Sequence, residues 1–165
     1  MVEEWYDDRP SWTAFITELL RELAPAFHCH CDCEYWPRVD LSYFDRCGGS
    51  EWGEWSREVA IEHENDSTWT NEICKLMEIN AGLKVLIAYA WNRKDIEEVL
   101  VRLPAIHQSR KYLTSPCSYL LIFGPFSGDL DDFIAIRFDG TNTTEITGTM
   151  RIIPCPPAKQ SPPFC

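Results

Sequence analysis

Two glutamates separated by one residue end an apolar segment near the middle of the chain. Glu62 and Glu64 follow Val59-Ala60-Ile61, and Asp40 lies 22 residues before Glu62. In a strand, alternate side chains share a face, so the Cα atoms of Glu62 and Glu64 would lie about 6.5 to 7 Å apart. Two carboxylates at the margin of an apolar layer need a cation, a proton or hydrogen bonds to offset them. We therefore expect a divalent metal, Mg²⁺ or Mn²⁺, bound by Asp40, Glu62 and Glu64.

The elements that would position these acids follow from the hydrophobic spacing. Residues at helical spacing predict a first helix that covers a core and ends before Pro25: Trp12, Phe15, Ile16, Leu19, Leu20 and Leu23. Alternation with period two predicts two strands between Phe27 and Asp45, separated at Pro37, and a third from Arg57 to Glu64. Asp40 and Glu62 would then lie on neighbouring antiparallel strands.

The second half of the chain alternates helical and strand patterns. A helix is predicted from about Thr68 to Ala81, and Lys75 flanks its apolar stripe. The continuous apolar segment Leu83 to Trp91 predicts a central strand that is buried on both faces. A helical stretch from Asp95 to about Tyr112 follows, with Pro104 expected to break it in two. Three more strands are predicted, joined by turns such as Asp139 to Asn142: Cys117 to Phe123, Phe133 to Phe138 and Glu145 to Ile153.

Length and composition indicate one globular domain. The chain has 165 residues, of which 45% are hydrophobic, enough to bury a proper core over residues 1–153. The proline-rich segment 154–165 is predicted to be an extended tail. The longest uncharged apolar run is too short to cross a bilayer, and the first residues lack the pattern of a signal peptide. We therefore expect a cytoplasmic protein that does not associate with membranes.

The charge distribution limits the partners. The formal net charge is −11, and residues 1–80 carry 18 acidic against 6 basic side chains. Such a chain is not a general nucleic-acid binder, because affinity for phosphate backbones normally depends on Lys and Arg. A nucleic-acid role would need bound metal and a local basic patch, and solvated helix faces are the other interpretation of its candidates: Arg93, Lys94, Arg102, Arg110 and Lys111.

Cysteine and histidine alternate in His28-Cys29-His30-Cys31-Asp32-Cys33. On a strand, Cys29, Cys31 and Cys33 would share one face. A structural zinc site usually adds a second pair of ligands from elsewhere, and no such pair stands out in the sequence. Half-buried strand cysteines are therefore the main interpretation, and a Cys/His metal site is the alternative.

The order of these elements and acids resembles the PD-(D/E)XK, or restriction-endonuclease-like, nuclease superfamily. The resemblance covers about residues 11 to 91 and lies in Arg38 to Phe44, in Val59 to Asn65, and in Trp69 with Glu72-Ile73-Cys74-Lys75-Leu76. In that family the first acid lies on the second core strand and the (D/E)XK triplet on the third. The resemblance implies an α/β fold with a restriction-endonuclease-like core, in which helices flank a central mixed sheet.

The resemblance also implies roles for individual residues. Asp40 matches the first metal-binding acid, Glu62 matches the acid of the triplet, and Glu64 stands where the family usually has lysine. A glutamate cannot supply the positive charge of that lysine. Some members recruit a lysine from the following helix, which makes Lys75 the first candidate and Lys84 the second.

Two further functions stand beside the Mg²⁺-dependent endonuclease that the resemblance implies. One is a catalytically inactive protein on the same scaffold that acts through protein-protein interaction. The other is a Cys/His metal-binding protein centred on His28 to Cys33. The expected partners are DNA as substrate, a second copy of the chain in a homodimer and, for the inactive scaffold, another protein.

Overall fold

A seven-stranded mixed sheet runs through the part of the chain that the computed structural model describes, namely residues 9–32, 39–46, 55–64, 69–110, 118–125 and 133–146. The elements, in chain order, are α1 (Arg9–Leu23), a short 3-10 helix (Ala24–Phe27), β1 (His30–Asp32), β2 (Leu41–Arg46), β3 (Trp55–Glu64), α2 (Trp69–Met77), β4 (Leu83–Ala90), α3 (Arg93–Leu100), α4 (Leu103–Ser109), β5 (Ser118–Pro125), β6 (Ile134–Phe138) and β7 (Thr143–Glu145).

The strands lie side by side in the order of the chain, from β1 to β7. β4 is parallel to both β3 and β5, and the other neighbouring strands are antiparallel. Parallel neighbours need a crossover connection, which α2 provides between β3 and β4, and α3 with α4 between β4 and β5. The fold is therefore α/β, with a mixed sheet flanked by helices, as the sequence predicts.

β4 occupies the centre of the sheet, as its apolar sequence predicts. Every residue of the strand from Lys84 to Ala90 is buried. A strand covered by helices on both faces favours such a continuous apolar segment over alternation. The predicted strand extended to Trp91, but β4 ends at Ala90 and Trp91 is 51% exposed.

Alternating side chains of the sheet face two separate apolar cores. α2, α3 and α4 cover one face, where Ala60, Leu86 and Leu121 pack against helix residues such as Ile73 and Leu103. α1 and the 3-10 helix cover the other face, whose core is formed by Ile16, Ala24, Leu41, Tyr43, Val59, Ile61, Val85 and Ile87. Even-numbered residues of β3 and β4 thus face α2, and odd-numbered residues face α1.

α1 covers the core with a narrower stripe than its sequence predicts. Ile16 and Leu20 pack against the sheet, and the Tyr43 hydroxyl donates to the carbonyl oxygen of Leu20. Phe15, Leu19 and Leu23, by contrast, are 47%, 41% and 42% exposed. The prediction that this apolar set covers a core was therefore wrong for these three residues, because the helix contacts the sheet along only one row of side chains.

Local capping and proline chemistry set the limits of the next two helices. The Asn92 side chain accepts a hydrogen bond from the Asp95 backbone N–H, so α3 begins at Arg93, two residues before the predicted start. The helix ends at Leu100, and α4 begins at Leu103 with Pro104 in its first turn. The predicted break at Pro104 is confirmed.

The last strands follow the predicted order with one shift. β5 and β6 lie close to their predicted ranges, whereas β7 spans Thr143–Glu145 instead of beginning at Glu145. The preceding turn is as predicted: Asp139 Oδ1 accepts from the backbone N–H groups of Thr141 and Asn142, and Gly140 has a φ of 94°. Residues 147–165, which include the predicted tail 154–165, lie outside the described residues.

Membrane-spanning segments are not found among the described helices. The longest of them, α1, has 15 residues, and none combines the length and apolar character that a bilayer span requires.

Candidate functional site

Asp40 and Glu62 lie next to each other at one end of the β2–β3 pair. The register of these antiparallel strands pairs Leu41 with Ile61, so one step further brings Asp40 beside Glu62. Asp40 lies at a bend just before β2, and its Oδ2 accepts a hydrogen bond of 2.8 Å from the backbone N–H of His63. This bond fixes the exposed carboxylate of Asp40 against the end of β3.

Glu62 is a buried carboxyl on the face of β3 that α2 covers. The residue is 1% exposed. Its Oε1 lies 2.8 Å from Lys75 Nζ, an ion-pair distance. Burial raises the pKa of Glu62 to about 8; the charge of Asp40 adds to the rise and contact with Lys75 opposes it. This carboxyl therefore gives up its proton less readily than an exposed glutamate does.

Lys75 projects from α2 toward the two acids. Its Nζ contacts Glu62 Oε1 and also lies 2.9 Å from Glu72 Oε2, one turn earlier on the same helix. Burial lowers the pKa of Lys75, but contacts with Glu62 and Glu72 outweigh this effect and raise it. The lysine is thus a permanent positive charge held at the carboxyl pair. We call Asp40, Glu62, Glu72 and Lys75 the carboxylate–lysine cluster.

Glu64 and Lys84, the other two predicted residues, are placed differently. Glu64 is half-buried and follows Glu62 on the same strand face. Within the described ranges, no three or more His, Cys, Asp or Glu side chains are arranged to hold a metal ion, so the structure brings Glu64 into no such group with Asp40 and Glu62.

Lys84 is engaged elsewhere. It is 2% exposed, its Nζ donates to the carbonyl oxygen of Met77 at 3.4 Å, and it lies 5.2 Å from the centroid of the Tyr119 ring. A lysine at this position satisfies a carbonyl at the C-terminal end of α2. Lys75, and not Lys84, is therefore the lysine that contacts Glu62.

His63 lies on the opposite face of β3 and packs there, as its position in the sequence predicts. Its Nε2 lies 3.2 Å from the Tyr89 hydroxyl oxygen, with the two rings nearly perpendicular. Burial lowers its pKa, and the charge of Asp40 opposes the shift. The contribution of His63 to the cluster is its backbone N–H, which sequence patterns do not reveal. Glu72 was also missed as a partner of Lys75, although their spacing of three residues in a helix was a usable signal.

The described part of the cysteine and histidine segment lies on the face of the sheet that α1 covers. β1 begins at His30, and Cys29 and Cys31 are half-buried against the α1 core. The Cys29 thiol donates to the carbonyl oxygen of Phe27 at 3.3 Å, and burial raises its pKa. Cys33 lies outside the described residues. The described part of the segment thus matches half-buried cysteines.

Three of the five basic residues proposed as a patch, Arg93, Lys94 and Arg110, form ion pairs on the helix surfaces, and Arg102 is exposed. Arg93 pairs with Glu97 and Glu145, and Lys94 lies 3.7 Å from Glu98. Arg110 pairs with Glu78, and Lys111 lies outside the described residues. These pairs match the interpretation of solvated helix faces.

The fold and cluster together define an α/β protein with a carboxyl pair and a lysine at the C-terminal end of a strand in a mixed sheet. Comparison with known proteins adds no closer relationship: no protein family matches the sequence, and neither curated proteins nor solved structures give a match.

Proposed function

We propose that this chain is a metal-dependent phosphodiesterase that cleaves DNA, with Asp40, Glu62, Glu64 and Lys75 as its site residues. The observation that carries the proposal is the 2.8 Å contact between Lys75 Nζ and Glu62 Oε1 beside Asp40. Some members of the restriction-endonuclease-like superfamily recruit a lysine from the helix after the triplet strand, and the contact of Lys75 on α2 with Glu62 supports such a role here. The order helix, three antiparallel strands, helix and parallel strand also agrees with that resemblance.

The residues present fit a Mg²⁺ or Mn²⁺ ion. Mg²⁺ is commonly held by one or two carboxylates, with water and substrate oxygens completing its shell. Asp40 and Glu62 supply two carboxylates that lie beside each other at the end of the β2–β3 pair, and carboxylate oxygens are the ligands that such an ion prefers. Asp40 and Glu62 would hold the ion, and Glu64 would be a third carboxylate ligand. A bound ion would lower the pKa of an attacking water and neutralise charge that develops on the phosphodiester.

The protein's own residues have complementary tasks. The backbone N–H of His63 holds Asp40 in place, so that this carboxylate is oriented before substrate arrives. Glu62 must lose its proton before it can bind a cation, because a protonated carboxyl is a poor ligand. The ammonium group of Lys75, 2.8 Å from Glu62 Oε1, would stabilise negative charge that develops on the phosphodiester.

Nicking of plasmid or junction DNA in the presence of Mg²⁺ or Mn²⁺ tests the proposal. We expect the wild type to nick DNA and Glu62→Ala to lose this activity. Glu78→Ala is the matched control, since Glu78 is an exposed acid that pairs with Arg110. Equal activity of wild type and Glu62→Ala would mean contamination or a different site, and would overturn the assignment.

The second candidate function is a non-catalytic interaction protein on the same scaffold. Two observations favour it: Lys75 already contacts Glu62 Oε1 within the fold, and the described residues contain no metal-binding group of three side chains. In this case the cluster is structural. Purified protein that binds no Mg²⁺ or Mn²⁺ in calorimetry, and nicks no DNA, would favour this function over the nuclease.

A further inference from the structure

A small cleft opens at the C-terminal end of β4, between the first turn of α2 and the exposed side of α3. Its volume is about 230 Å³. Clefts that bury drug-sized ligands are larger, about 300 to 1,000 Å³, so this one matches a single head group. The side chains that decide its chemistry are Trp69, Tyr89, Trp91, Asp95 and Glu98.

Three of these residues are aromatic, and two of them form rigid walls. Trp69 and Tyr89 are each 4% exposed. Trp69 packs edge-on against Phe123 at 4.8 Å between ring centroids, and the Tyr89 hydroxyl contacts His63. Trp91, by contrast, is 51% exposed directly after β4. A half-exposed tryptophan that lines a cleft is a group that binds organic cations.

The polar residues of the cleft are acidic. Asp95 and Glu98 lie three residues apart on α3 and therefore on one side of that helix. Arg93 on the same helix is occupied by Glu97 and Glu145. Lys94 lies 3.7 Å from Glu98 with an 81% exposed side chain, so this pair is weak and open to competition.

The N-termini of α2 and α3 do not reverse the preference of the cleft for a cation. The N-termini of α2 and α3 approach the cleft, and helix N-termini favour anions. In α3, however, the backbone N–H of Asp95 is already bonded to Asn92 Oδ1. Two full carboxylate charges outweigh the partial charge of a helix end, so an anionic ligand is disfavoured.

We propose that this cleft binds the alkylated ammonium head group of an organic cation, held over Trp91 and neutralised by Asp95 and Glu98. The site is separate from the carboxylate–lysine cluster and does not depend on nuclease activity. A nucleobase could also stack on Trp91. A neutral base, however, gains no charge–charge attraction from Asp95 and Glu98.

The test is calorimetric titration of the full-length protein with choline and with 3,3-dimethylbutan-1-ol, its neutral isostere, at constant ionic strength. We expect saturable binding of choline and at least about tenfold weaker binding of the isostere, because only the cation gains from the aromatic face and the carboxylates. Equal binding of the two compounds, absence of saturable choline binding, or binding of cytidine or guanosine in place of choline would each overturn the proposal.

Variants assign the binding to the cleft. Trp91→Ala and Asp95→Asn should each weaken choline binding about tenfold, while Trp91→Phe retains most of it. Glu97→Gln is the matched control, since it removes the same charge from α3 but lies outside the cleft. Because Trp91 and Asp95 are exposed, these variants should keep the fold, which circular dichroism verifies. An equal loss in Glu97→Gln would overturn the assignment to the cleft.

Discussion

The buried carboxyl of Glu62 links stability to the proposed chemistry. Its pKa in the folded protein, about 8, is raised above the ordinary value of 4.5, so the folded state binds this proton more tightly than the unfolded chain. The resulting stabilisation is complete below about pH 4.5 and is lost as the pH rises through 8. A residue that weakens the fold at neutral to alkaline pH is typical of a functional position.

The first prediction concerns this pH dependence. The free energy of unfolding should fall by on the order of 2 to 4 kcal/mol between pH 5 and pH 8. Glu62→Gln, a neutral residue of the same shape, should remove most of that fall and be more stable than wild type at pH 8. Urea unfolding at several pH values measures the effect, with the exposed Glu78→Gln as control. An unchanged slope in Glu62→Gln would contradict the raised pKa.

The second prediction concerns Lys75. Lys75→Met should reduce DNA nicking by about 10²- to 10³-fold, because the positive charge at the phosphate is lost. The fold should persist, since contact with Lys75 lowers the pKa of Glu62 and its loss lets that carboxyl stay protonated. Lys94→Met, which removes an exposed lysine of α3, should nick like wild type. Retained nicking in Lys75→Met would remove this residue from the mechanism.

At the scale of elements, the backbone conformation of the turn before β7 favours glycine at position 140. Gly140 has a φ of 94°, and a Cβ there would lie 2.7 Å from Cε1 of His107. The His107 ring is itself fixed edge-on against Tyr119 and Phe138. The close approach of Gly140 to His107 therefore holds α4 against the last strands of the sheet.

Gly140→Ala should accordingly destabilise the protein by about 1 to 3 kcal/mol, through backbone strain and the contact with His107. Gly82→Ala is the matched control, because the closest contact of a Cβ at that position is 3.4 Å and its φ is not in the left-handed region. Thermal unfolding of both variants measures the difference. Equal stabilities would show that the turn relaxes without cost.

Elements whose sequence pattern depends on local chemistry were predictable, and contacts between elements were less so. The continuous apolar segment of β4 and the proline in α4 act within their own segments, so both predictions are confirmed. The exposure of Phe15 depends on how α1 meets the sheet, which periodicity does not encode. The bond from the His63 N–H to Asp40 is invisible for the same reason, since every residue except proline has a backbone N–H.

At the scale of the whole molecule, the net charge of −11 opposes contact with a polyanion. Arg93, Lys94 and Arg110, on α3 and just after α4, form ion pairs with acids, which reduces the positive charge that this surface offers to a phosphate backbone. Any approach of DNA to the cluster would therefore depend on bound cations, which add positive charge where the carboxylates are concentrated.

The corresponding prediction is that DNA binding depends on divalent cations. In gel-shift experiments we expect no retardation of DNA in EDTA and a weak, salt-sensitive complex in Ca²⁺, an oxygen-seeking ion bound by carboxylates. Glu62→Ala should weaken the Ca²⁺-dependent complex, and Glu78→Ala should not. Tight binding in EDTA would mean that DNA is held by a basic surface elsewhere on the chain.

The strand order has a consequence for how the chain reaches its fold. Each described strand after the first pairs with the one that precedes it, and ladder partners are at most 35 residues apart, as in Leu83 and Ser118. Short sequence separations reduce the loop entropy that must be lost before pairing, and domains form from the N-terminus during synthesis. The sheet can thus grow one strand at a time as the ribosome releases the polypeptide, with every new strand meeting a template that is already present.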